Sequence, residues 1–467
     1  MKRLVLALAV VSVSAFAACG SDDAPDPPKD LLGKLQAIPG VTVTKTPTDS
    51  AGFEYYVLHF TQPVDHADPD GQTFQQEVSL LHRDIEAPMV VTTTGYFDYI
   101  NDRPIELTGL LTSNQVSIEH RYFGDSRPDP ADWTKLTIDQ MAADEHAIIA
   151  ALRDIYPGAF VTTGASKGGM TATYHRRFYP DDVDATVPYV APMSFGAPDT
   201  RYTAFVDAIG TTACRDALRA AATEMLKNRR AAMEQRASAQ TGHTYSRIPI
   251  GPAVEGSIAS LEWAFWQYYG INFCDQVPAA TATDDALFDF LDTIAPIGDN
   301  DDAQVAAFEA YYYQAYAQLG YPDGNATYLD AFLMYTDADY EAALPTPDPP
   351  AYDGGVAMHD VEGYIQNEGT RLLFIYGEWD PWTGGQYELG NATDSLKLIQ
   401  AQGSHGSRIN RLAPADRDAA YGKLAAWTGV TPTPPAAKPV PDVAARRLEL
   451  LDEPRVPPAM IRVLSRR

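Results

Sequence analysis

The hydrophobic pattern opens with an apolar run from Leu4, behind a basic start at Lys2 and Arg3, and closes on Ala17 and Ala18 before Cys19. A run this short, ending in small residues, is the pattern of a secretory signal rather than of a membrane span. Residues 20–29 (GSDDAPDPPK) are polar and proline-rich with no apolar surface to bury, and the polar tether is expected over 20–34. Residues 53–62 and 72–82 are rich in aromatic and β-branched side chains around a turn with Pro69 and Gly71, which predicts a hairpin. Residues 89–94, 115–120, 159–163 and 185–190 are short, β-rich and bounded by loops, as buried parallel strands are, although Pro188 counts against the last.

Helical periodicity enters at Thr137, where Thr137 and Gln140 fit a capping box and Met141, Ile148, Ile149 and Leu152 form one apolar stripe. A second helix is predicted from Met170 to Phe178. Across 196–352 the strand–helix alternation stops and helical segments take over, at Cys214 to Arg236, Ile258 to Tyr269 and Ala303 to Leu319. Strand patterns return at 371–376 and 396–400, followed by a helix over 416–427 and a proline-rich stretch from Thr431. The expected organisation is therefore a signal (1–19), a tether (20–34), an α/β core in two parts (35–195 and 353–430), a helical cap inserted between core strands (196–352), and a tail (431–467).

Composition narrows the function classes. With 62 acidic and 35 basic residues among 467, the chain carries a formal charge of −27, which excludes nucleic acid as a partner. Three cysteines rule out a disulfide-framework scaffold. The Ala17-Ala18-Cys19 border resembles a bacterial lipobox, with Phe16 in place of the usual leucine-like residue. Cys19 is thus the expected lipidation site and the lipid anchor the expected membrane contact, with ordinary cleavage beside an incidental cysteine as the competing reading. In an exported protein, Cys214 and Cys274 are then expected to pair, two buried thiols being the alternative.

Gly164-Ala165-Ser166-Lys167-Gly168 is a G-x-S-x-G string at a predicted strand-to-helix turn, the nucleophile-elbow pattern. A serine hydroxyl needs a histidine base and a carboxylate that orients it. Asp380 follows the strand 371–376, with Glu378 as its competitor, and His405, on a glycine-rich loop after the strand 396–400, is the only histidine beyond it. The oxyanion needs two N–H donors; Lys167 is expected to supply one and Tyr96, beside Gly95, the other. A Ser-Lys dyad is disfavoured because adjacent side chains diverge. Neither HExxH, nor clustered Cys/His spacing, nor a dinucleotide fingerprint occurs, so no metal or cofactor is expected.

The segments 119–128 (EHRYFGDSRP), 174–184 (YHRRFYPDDVD) and 189–192 (YVAP), together with the elbow, resemble the secreted bacterial serine tripeptidyl aminopeptidases. The first segment is also similar to the lysosomal Pro-X carboxypeptidase and dipeptidyl-peptidase relatives. The resemblance runs from about residue 35 to 430 and implies an α/β-hydrolase core with a helical cap, releasing short peptides from free N-termini. Ser166, Asp380 and His405 occupy the matching triad positions. Peptides are then the expected partners, and a carboxylate must meet the substrate amine, for which Glu378 and Glu119 are the candidates. The cap aromatics Trp263, Phe265, Trp266, Tyr268, Tyr269 and those of 311–316 either roof a pocket or pack a core. Two other readings compete: a carboxylesterase-like hydrolase with the same triad, and a surface lipoprotein that binds peptides without turnover.

Overall fold

The computed structural model describes residues 30–434 apart from Asn325. The expected signal, Cys19, most of the tether and the tail beyond Pro434 lie outside the described residues. Nine strands form one sheet: β1 (Val41–Thr46), β2 (Glu54–Pro63), β3 (Thr73–His82), β4 (Met89–Thr93), β5 (Asn114–Ile118), β6 (Phe160–Ala165), β7 (Ala185–Tyr189), β8 (Leu373–Gly377) and β9 (Leu396–Gln400). Their order is β1-β2-β3-β5-β4-β6-β7-β8-β9. β1, β2, β3 and β5 pair antiparallel in turn, and from β5 to β9 all pairs are parallel.

The first core part carries α1 (Leu31–Gln36), α2 (Glu106–Leu111), α3 (Ile138–Arg153) and α4 (Lys167–Phe178). Between β7 and β8 come α5 (Arg201–Val206), α6 (Thr212–Asn228), α7 (Arg230–Ala239), α8 (Ile250–Ala259), α9 (Leu261–Ala264), α10 (Asp284–Ile294) and α11 (Asp302–Gln314). α12 (Val356–Asn367) leads into β8, and α13 (Pro414–Thr428) follows β9.

Alternate strand residues serve opposite faces. Val90, Val161, Val187 and Ile375 pack with Leu107 and Leu110 of α2 and Leu424 and Trp427 of α13. Met89, Val91 and Phe160 pack with Ile148, Ile149 and Leu152 of α3. This is an α/β-hydrolase core with a helical insertion, covered on both faces, which is why β4, β5, β7 and β8 are buried along their whole length. β7 tolerates Pro188 at a cost to one ladder. Thr186 and Val190 donate to the Arg371 and Ile375 carbonyls, so the missing Pro188 N–H interrupts the bonds to β8 between them.

Several expectations are corrected. α1 begins inside the stretch read as tether: Asp30 caps it through the Gly33 N–H (2.8 Å), and Leu35 is buried. The capping box at α3 does not form. Thr137 Oγ1 has no hydrogen-bond partner among the described residues, and the Gln140 side chain instead binds the His66 N–H and Asp65. The helix expected over 214–236 is two helices, broken at Arg229, whose φ of −123° is not helical. β1 and α2 were not anticipated, because β1 is a half-exposed edge strand and α2 a six-residue helix, too short to show a helical period.

Candidate active site

The elbow is set by close packing of backbone. β6 ends at Ala165 and α4 begins at Lys167, leaving Ser166 at φ 55°, ψ −126°. A non-glycine residue there costs roughly 1–3 kcal/mol of strain. Two bonds hold it: the Ser166 N–H donates to the Tyr189 carbonyl (2.9 Å), and its own carbonyl accepts from the Met170 N–H (3.0 Å). A Cβ at Gly164 would lie 2.6 Å from Thr93 O, one at Gly168 would collide with the same oxygen, and one at Gly169 would lie 2.9 Å from Ala191 Cβ. The glycines are therefore demanded by the approach of β4 and β7 to the turn.

The histidine and aspartate come from consecutive loops beyond β8 and β9. Asp380 is fully buried and caps the short 3₁₀ turn Pro381–Gly385 by accepting from the Trp382 N–H (3.2 Å). Its Oδ2 lies 2.7 Å from His405 Nδ1. With the proton on Nδ1, Nε2 is left as an acceptor, and among the described residues that nitrogen has no hydrogen-bond partner. The loops meet because Gly377 lacks a side chain, where a Cβ would lie 2.6 Å from Gly403 O. The His405 N–H donates to Gln267 O (2.9 Å), tying the histidine loop to the cap. Ser166 and His405 line one cavity of about 510 Å³.

Lys167 and Tyr96 also line it. Lys167 N–H, at the first position of α4, makes no hydrogen bond among the described residues. The Tyr96 N–H makes only a long one, to Thr94 Oγ1 (3.3 Å). Lys167 Nζ turns away from Ser166 and donates to Gly95 O (2.6 Å), while also facing the Tyr96 and Phe123 rings at 5.5 and 5.3 Å. Gly95 O and Tyr96 N–H belong to one peptide plane, so the lysine sets the direction of that N–H. Gly95 has φ +76°, and a Cβ there would lie 2.6 Å from Gly168 N, which is how the two loops come into register. Burial holds the Lys167 amine well below its usual pKa, opposed by the nearby Glu145, whose carboxyl burial drives well upward.

Among the described residues, no group of three or more His, Cys, Asp and Glu side chains is placed to hold a metal ion. The family model described as PS-10 peptidase S37 matches residues 26–459. The chain belongs to the S37 peptidase family. It is 37% identical over 432 residues to the prolyl tri/tetrapeptidyl aminopeptidase of Streptomyces mobaraensis, covering 91% of this chain and 90% of that one. A shorter similarity, 31% over 184 residues, links 34% of it to 37% of the mouse lysosomal Pro-X carboxypeptidase. Among solved structures, the proline iminopeptidase of Mycobacterium smegmatis aligns at 16% identity and TM-score 0.35, over 78% of this chain and 91% of that chain. At that score the hydrolase fold rests on the sheet described above. The S37 peptidases are serine peptidases, and this chain is one.

In this S37 peptidase neither carboxylate expected to meet a substrate amine lines the cavity. Glu378 is exposed and accepts from the Gln402 N–H (2.7 Å). Glu119 is buried beneath the loop after β5, where it accepts from the Asp98 N–H, the Ser126 N–H and the Ser126 hydroxyl. Burial pushes its carboxyl up to about 7. Both therefore organise loops. The carboxylate that does line the cavity is Glu106, which the sequence reading missed because α2 itself went unrecognised. Arg103, Arg408 and Arg411 line it too and were equally missed, since loop arginines carry no periodic signal.

The cap aromatics divide. Tyr268 and Tyr311 line the cavity, whereas Trp263, Phe265, Trp266, Tyr269, Tyr312 and Tyr316 are buried in packing. Gln267 and Tyr268 lie on a π-helical turn, Phe265–Tyr269, and such turns re-aim side chains that a regular helix would place elsewhere. Tyr311 packs edge-on against Tyr96 with ring centroids 5.8 Å apart, so roof and floor touch beside the Gly95–Tyr96 peptide. The cap is stapled by a Cys214–Cys274 disulfide between α6 and the turn Ile271–Gln276.

Proposed function

We propose that this S37 peptidase is an exported serine exopeptidase that removes tri- or tetrapeptide units from free N-termini, with Ser166, His405 and Asp380 as its triad. The carrying observation is the unpartnered His405 Nε2 in the cavity that holds the strained Ser166, with Nδ1 committed to Asp380. Ser166 Oγ attacks the scissile carbonyl as His405 Nε2 takes its proton. Asp380 keeps the imidazole in the tautomer that can accept it and stabilises the imidazolium. The Lys167 and Tyr96 N–H groups receive the oxyanion, each donor contributing about 10²–10³ in rate. His405 returns the proton to the leaving amine, and water then hydrolyses the acyl-enzyme by the same relay.

The unit length follows the name of the S. mobaraensis relative, which aligns over nearly the whole chain. Export rests on residues 1–19, and anchoring on acylation of Cys19. Membrane fractionation checks the latter: Cys19→Ala should shift the protein to the soluble fraction. For the chemistry, tripeptide p-nitroanilides with free and N-acetylated termini should be compared. The free form is expected to be cleaved, the acetylated form to resist, and Ser166→Ala to lose about 10⁵-fold or more in kcat. Equal cleavage of both forms, or faster cleavage of a simple ester, would return the esterase reading. Absence of fluorophosphonate labelling at Ser166 would return the non-catalytic one.

A further inference from the structure

The cavity is electrostatically unlike the rest of the chain. In a molecule with 62 acidic and 35 basic residues, its lining includes three guanidinium groups, Arg103, Arg408 and Arg411, against Glu106 as the carboxylate facing it. Glu106 is committed to architecture, because its two oxygens accept from the Ile409 N–H (3.1 Å) and the Asn410 N–H (3.0 Å). Those bonds cap the turn Ile409–Arg411 and fasten the loop bearing Arg408 and Arg411 to the segment bearing Arg103. The arginines thus come from two segments locked together at the cavity wall.

Arg103 and Arg411 are exposed, and each donates to a backbone carbonyl, Tyr99 O (2.6 Å) and Gly406 O (2.8 Å); Arg408 is the least exposed of the three. It is half-buried, its Nη1 donates to Ser407 O (2.9 Å), and its guanidinium lies 5.6 Å from the Tyr189 ring centroid. A guanidinium has five N–H donors in a rigid fork, and the geometry suits a carboxylate. Arg408 is also three residues beyond His405, on the same loop. If His405 protonates the leaving amine, the residues carried by that loop stand on the leaving-group side of the scissile bond. An N-terminal ammonium would be repelled by these guanidinium groups.

We propose that Arg408, reinforced by Arg103 and Arg411, forms a leaving-group-side subsite for a carboxylate, so that this peptidase favours substrates with a negative charge just beyond the scissile bond. This rests on the triad reading above. Two sources present the same chemistry: the free C-terminus of a short peptide, and an aspartate or glutamate side chain in the first leaving position. A subsite of this kind also draws anionic substrates into the mouth of an otherwise anionic protein.

The test measures kcat/KM for matched tetrapeptides that differ only after the scissile bond: C-terminal acid against amide, and, on the amide background, aspartate against asparagine. The wild-type enzyme is expected to favour one or both charged members by about tenfold, the factor a hydrogen bond to a charged group supports, and less at high salt. In Arg408→Gln the charged-to-neutral ratio should fall toward one, and Arg103→Gln, on the other segment, should lower it less. A preference for the acid alone identifies the C-terminus, and one for aspartate alone identifies the side chain. Equal rates for charged and neutral members in the wild type, or a ratio unchanged in both variants, overturns the subsite. That failure is distinct from failure of the triad, which would show as turnover of the neutral amides surviving Ser166→Ala. Thermal melting separates a misfolded variant from an informative one.

Discussion

The floor and the roof of the cavity are built on different principles. The floor is backbone: Gly95, Gly164, Gly168 and Gly377 hold their places because strands and loops approach within distances that exclude a Cβ, and two backbone hydrogen bonds hold Ser166 among them. The roof is side chains: Tyr268 and Tyr311 reach the cavity from helices whose other aromatics are equally large but buried away from it. A floor of this kind admits few residue types and leaves short, strict strings in the sequence. A roof of this kind admits many, and its selection depends on helix rotation. Chemistry therefore sits on the part that tolerates little change.

The sharpest way to break this comparison is at the junction, where Asp380 orients the histidine. Asp380→Asn is expected to lower kcat by about 10⁴-fold while the fold is kept, because the amide favours the wrong tautomer. A loss below tenfold would mean that the floor does not depend on this contact. Next is Lys167→Met, which retains the Lys167 N–H but frees the Gly95 carbonyl. We expect a loss of about 10²-fold in kcat with KM little changed, and weaker binding of a tetrahedral boronate in proportion. An effect confined to KM would move Lys167 from aiming a donor to shaping the pocket.

Smaller effects lie further out. Removing the Cys214–Cys274 bond by a double serine substitution should cost the cap about 2–4 kcal/mol. Calorimetry should show the loss in the helical insertion, with KM rising before kcat falls; a parallel loss in the sheet would mean that roof and floor unfold as one. Beneath the floor, Glu119 has a pKa raised by burial from 4.5 to about 7, so the native state holds a proton that the unfolded chain releases between those values. Stability should therefore decline as pH rises through that window, by no more than about 3 kcal/mol. Glu119→Gln should flatten the profile of melting temperature against pH; an unchanged slope would show the carboxylate to be ionised throughout.

Legibility followed the same divide. The elbow, Asp380 and His405 stood out as a glycine-flanked serine at a strand–helix turn and as polar residues just beyond strand patterns, since the local backbone demands both. Glu378 and Glu119 were drawn into the substrate reading by proximity in sequence, yet one faces solvent and the other fastens a loop. Residue type and spacing carry no record of where a loop side chain points. The Thr137 capping box failed for a related reason: Gln140 found partners in the segment 65–66, far away in the chain.

By itself the sequence determined most of the core strands, the interruption by a helical cap, the nucleophile turn, and the −27 charge that sets the background against which a basic cavity is conspicuous. These depend on periodicity, on glycine and on composition, all of which are local or additive. Only the tertiary structure decided that Lys167 aims the Gly95–Tyr96 peptide, that Glu106 locks two arginine-bearing segments together, and that two cap tyrosines of many meet the cavity. Each of these joins residues far apart in the chain. Such contacts arise from how packed elements bring side chains together, and no window along the sequence contains both partners.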